Sequence, residues 1–60
     1  MNKVTVISID PIGTEVFINP KVHMWINNEL YLIETSDRRR FEFPSFNVLK
    51  VITEENDDKS

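Results

Sequence analysis

The chain has 60 residues, enough for one domain and too few for a core that encloses a sizeable substrate. It has no cysteine, which excludes a disulfide framework and thiolate metal sites. The formal net charge of −3 comes entirely from residues after Thr53; before that point six basic residues balance six acidic ones, so the body lacks the basic excess of a general nucleic-acid binder.

Taken in chain order, residues 3–9 are rich in valine, isoleucine and threonine, whose branched side chains suit a pleated strand. Asp10-Pro11-Ile12-Gly13 has the residue preferences of a type I turn, with Asp first, Pro second and Gly fourth. A second strand over 15–19 is stopped by Pro20, which has no N–H to give to a ladder. Strands follow over 22–26, 30–35 and 38–43. Pro44-Ser45-Phe46-Asn47 predicts a bend or one 3₁₀ turn. Residues 48–53 are predicted as the last strand on the strength of Val48, Val51, Ile52 and Thr53, although Phe46, Leu49 and Ile52 also have helical spacing.

The three middle strands allow a register to be worked out. With Asn27-Asn28-Glu29 as a three-residue loop, Ile26 faces Leu30, Trp25 faces Tyr31, Met24 faces Leu32 and His23 faces Ile33. The rival is a two-residue type I′ turn at Asn27-Asn28, which sets Ile26 against Glu29 and spoils an apolar face. With Ser36-Asp37 as a two-residue loop, Leu32 faces Phe41 and Leu30 faces Phe43. Alternation then sorts the side chains into a core set (Val22, Met24, Ile26, Leu30, Leu32, Phe41, Phe43) and an outward set (His23, Trp25, Tyr31, Ile33, Arg38, Arg40, Glu42).

The expected fold is all-β: a five- to six-stranded antiparallel meander over residues 1–53, closing into a small SH3-like barrel. The chain resembles SH3-like and Sm-like barrels in size, strand count and the bend before its last strand, with no family motif to go with the likeness. The alternative is an α+β fold with a C-terminal helix over 46–56. Residues 54–60 are expected to be a disordered acidic tail. With no basic, apolar leader and no long apolar run, the chain reads as cytoplasmic, without a membrane segment. A composition lacking alanine and glutamine and rich in isoleucine and asparagine fits an AT-rich genome and a bacterial or phage accessory protein.

One histidine, no cysteine and none of the nucleophile, P-loop or zinc motifs argue for a protein that binds rather than catalyses, with neither cofactor nor metal. Arg38-Arg39-Arg40 has two readings. One is phosphate contact beside Trp25 and Tyr31 as stacking platforms for single-stranded nucleic acid. The other is charge placed on a strand to prevent edge pairing, and alternation would in any case point Arg39 away from its two neighbours. The outward set carries Trp, Tyr and Arg, the types enriched at protein-interface hot spots; the competing reading buries Trp25 and Tyr31 beneath another strand. The expected partner is therefore a larger protein, contacted through His23, Trp25, Tyr31, Ile33, Arg38, Arg40 and Glu42. Nucleic acid is the second candidate, and self-assembly through an open sheet edge the third.

Overall fold

Val4 and Val6 are fully buried, and the alternating Thr5 and Ile7 are only half-buried, so the period of two in the first segment sets one face of a strand inward. This strand, β1 (Asn2–Ile9), is the centre of a sheet in the computed structural model, which describes residues 2–55. It pairs antiparallel with β2 (Ile12–Ile18) on one side and with β6 (Val48–Glu55) on the other. A second antiparallel sheet has the order β3 (Val22–Ile26), β4 (Leu30–Glu34), β5 (Arg40–Pro44), and a 3₁₀ turn, η1 (Ser45–Asn47), leads from it back to β6. The fold is all-β, and residues 46–55, the bulk of the alternative helix, are 3₁₀ turn and strand. No ladder among the described residues joins the two sheets, so a closed SH3-like barrel is not shown. β6 takes in Glu54 and Glu55, the first two positions of the expected tail; 56–60 lie outside the described residues.

The sheets pack face to face through Val4, Val6 and Phe17 from the first and Tyr31 and Ile33 from the second, with Phe41, Phe43, Val48 and Val51 around them. Phe17 meets Phe41 and Phe43 edge-on, with ring centroids 4.9 and 6.1 Å apart, in the geometry aromatic quadrupoles favour.

Three connections differ from the sequence reading or refine it. In the first hairpin Ile9 pairs with Ile12, so the loop is Asp10-Pro11 and Gly13 lies inside β2 opposite Ser8. The type I turn beginning at Asp10 is not formed; the Asp10–Pro11 peptide is cis and Pro11 is the third residue of the turn. Asn47 holds this turn against η1: its Oδ1 accepts from the Asp10 N–H at 2.9 Å and its Nδ2 donates to the Asp10 carbonyl at 3.1 Å.

The β3–β4 hairpin keeps the expected register, Ile26 opposite Leu30 and Trp25 opposite Tyr31. Its turn also takes up the rival's chemistry. Asn27 and Asn28 both have positive φ, as in a type I′ turn, and the Glu29 N–H donates to the Ile26 carbonyl at 2.8 Å.

The β4–β5 hairpin departs most. Arg38 has φ 73°, its N–H donates to Thr35, and the Thr35 N–H donates to Arg39, so the loop is Ser36-Asp37-Arg38, one residue longer than expected. Ile33 consequently faces Phe41, and Tyr31 faces Phe43. A one-residue slip moves every side chain of a strand to the other face. The predicted core set is thereby divided: Phe41 and Phe43 point into the core, and Met24 and Leu32 lie on the opposite face of the sheet. Leu32 is buried there, outside the core cluster, whereas Met24 is half-exposed.

Arg38 occupies the left-handed position that a three-residue hairpin loop normally gives to glycine. An L side chain there costs roughly 1–2 kcal/mol, of which glycine gives back part through its freer unfolded chain. Arg38→Gly is therefore expected to stabilise the domain by about 0.5–1 kcal/mol. A urea midpoint that falls instead of rising would show that Arg38 makes a compensating contact.

Candidate functional site

The sequence-predicted site residues do not share one surface. Tyr31 and Ile33 are core residues, 3% and 0% exposed, and are inaccessible to a partner. Their burial follows from the shifted β5 register, which brings Phe41 and Phe43 to their side of the sheet. Arg40 and Glu42 lie on the opposite face, where the Arg40 Nε is 3.2 Å from a Glu42 carboxylate oxygen. Arg38 is in the loop.

The arginine run is largely neutralised within the chain. The Arg39 Nε donates to Asp37 at 3.0 Å, and its guanidinium stands 5.7 Å from the Phe41 ring centroid. The Thr35 hydroxyl also donates to the Asp37 carboxylate; that hydrogen bond, together with the Arg39 charge, holds the carboxyl below its ordinary value. Among the described residues, Arg38 alone of the three has no ion-pair partner. Two arginines already paired with carboxylates add little to a phosphate-binding surface.

His23 and Trp25 remain together at the open margin of the core. Both lie on the inward face of β3, opposite Ile33 and Tyr31, yet the other sheet leaves Trp25 46% exposed. Trp25 is on the core side of its sheet and still reaches solvent. Its ring is tilted against that of Tyr31, with centroids 4.8 Å apart, and the Tyr31 hydroxyl lies 3.2 Å from Nδ1 of His23. Beside His23 a cleft of about 300 Å³ opens between the sheets, with His23 on one wall and Asn2, Lys3, Val4, Thr53, Glu54 and Glu55 on the other, where Lys3 and Glu54 form an ion pair at 3.8 Å. Those wall residues come from strands far away in sequence, and no local motif announces them.

An exposed indole held by a buried phenol is an apolar platform with a fixed orientation, with the His23 imidazole next to the phenol. No group of three or more His, Cys, Asp or Glu side chains placed to hold a metal occurs among the described residues. No helix there is long and apolar enough to cross a membrane. Comparison with protein families, with curated proteins and with solved structures finds no match to this chain.

Burial pushes the Tyr31 phenol above its ordinary value of 10. The folded state then holds the proton more tightly than the unfolded chain does. Its contribution to stability is complete below pH 10 and is lost as pH rises through the higher folded value. Alkaline unfolding is expected to begin as pH passes about 10, and Tyr31→Phe is expected to flatten the loss. The single tyrosine makes the check direct: tyrosinate absorbance should rise later in the folded protein than in urea. Coincident titrations in the two states would contradict the burial.

Proposed function

We propose that this chain is a non-enzymatic protein-interaction module that binds a larger protein through the Trp25 margin. The observation that carries the reading is Trp25 itself, a half-exposed indole seated on a buried tyrosine. Tryptophan is the residue type most enriched at binding hot spots, and an anchor already fixed by packing loses little conformational entropy when a partner covers it. The internal pairing of Arg39 and Arg40 favours this reading over nucleic acid.

The test is capture from the source cell with the intact chain, before and after nuclease, followed by titration of the captured protein. Trp25→Ala is expected to weaken that complex by about 30-fold, the equivalent of ~2 kcal/mol, and to leave the free domain folded, since Trp25 lies outside the core cluster. Undiminished affinity of the variant, or capture that disappears with nuclease, would refute the proposal.

A further inference from the structure

The outer face of the β2-β1-β6 sheet, turned away from the core, is more apolar than a solvated face needs to be. Ile9, Ile12, Val16, Ile18 and Ile52 stand there 44, 84, 50, 53 and 37% exposed. In β2 the usual amphipathic pattern is inverted: the outward residues are Ile12, Thr14, Val16 and Ile18, and the inward ones are Gly13, Glu15 and Phe17. A contiguous exposed apolar face of this kind marks a contact surface.

The registers arrange the face in rows across the three strands. Ile18, Lys3 and Glu54 form one row, Val16, Thr5 and Ile52 the next, and Thr14, Ile7 and Lys50 the third. Charge is placed asymmetrically along β6, with Lys50 on one side of Ile52 and, on the other, Glu54, whose carboxylate lies 3.8 Å from the Lys3 Nζ of the same row.

From this pattern we infer that the face pairs with a second copy of the chain, about a two-fold axis that crosses the strands along the middle row. That operation sets Val16 on Val16 and Ile52 on Ile52 of the second copy. It brings the Lys50 of each copy over the Glu54 of the other, giving two opposite-charge pairs that flank an apolar centre. The same operation sets Lys3 over Ile7 of the second copy, whereas a two-fold parallel to the strands sets Lys3 on Lys3 and Ile18 on Glu54, which is unfavourable at both places. Charge complementarity between Lys50 and Glu54 favours a second copy in the first of these orientations. The pairing is a sheet-on-sheet contact, with the two sheets about 10 Å apart. Its central row of Val16, Thr5 and Ile52 lies on the face of the sheet opposite the core, and Lys3 and Glu54 at its margin also line the cleft beside His23.

Sedimentation of the full chain over a concentration series tests this. The wild type is expected to form a reversible dimer. Lys50→Glu alone and Glu54→Lys alone are each expected to weaken it by about tenfold or more, because like charges then meet in both pairs. An equimolar mixture of the two variants should recover the dimer as a heterodimer, in which both pairs are again opposite. Both substitutions are on the surface, and circular dichroism verifies the fold. Three outcomes overturn the inference: a wild type that stays monomeric up to about 1 mM, a dimer indifferent to both substitutions, or variants that weaken it without recovery on mixing.

Discussion

Phe17→Ala is expected to unfold the isolated chain at room temperature. Phe17 is the one aromatic side chain that the β2-β1-β6 sheet contributes to the core, and it is 7% exposed. Its ring contacts Phe41 and Phe43 edge-on across the interface between the sheets. Truncating a buried phenylalanine costs ~3–5 kcal/mol, partly in lost transfer energy and partly in the cavity left behind. A single core of this size supplies about 3–5 kcal/mol in all, so the loss matches the whole stability. Val4 and Val6 are too short to close the gap by relaxing into it. A cooperative melt near that of the wild type would show that the sheets are held together by something other than this aromatic cluster.

Ile33→Ala should be nearly as severe, at ~2–5 kcal/mol, because Ile33 is fully buried on the central strand of its sheet. The informative comparison is with Met24→Ala. Met24 lies on the other face of the same sheet and is 49% exposed, so its truncation should cost less than about 1 kcal/mol. Chemical denaturation of the two variants ranks them directly. The register read from the sequence makes Met24 a core residue and turns Ile33 outward, and so demands the opposite order. If Met24→Ala proves the more damaging, the β4–β5 pairing described above is wrong.

Much of the chain is legible in its residues alone. Pro20, the Asn27-Asn28 pair and the bend at Pro44 mark breaks between strands through local backbone chemistry, and the fold has its breaks there. The β3–β4 register is legible from side-chain pattern: a three-residue loop sets Ile26 against Leu30 and Met24 against Leu32, whereas the positive φ that asparagine accepts suits the two-residue rival as well. The β4–β5 loop is not. Its left-handed residue is an arginine, a type that gives no signal for that conformation, so nothing in Ser36-Asp37-Arg38 distinguishes a three-residue loop from a two-residue one.

That single residue decides the candidate site. Shifting β5 by one carries Phe41 and Phe43 across the sheet, buries Tyr31 and Ile33, and leaves His23 and Trp25 at the margin. The residues facing His23 across the cleft, and the apolar outer face of the first sheet, depend on which strands pair and which sheet covers which. Local sequence determined the strand content and the positions of most turns, because those rest on backbone preferences of a few adjacent residues, and the register of one hairpin, because Ile26 and Leu30 match across its loop. Which face of each strand is buried was decided only by the tertiary structure. In these strands apolar side chains occur on both faces, and only the packing of one sheet against the other selects between them.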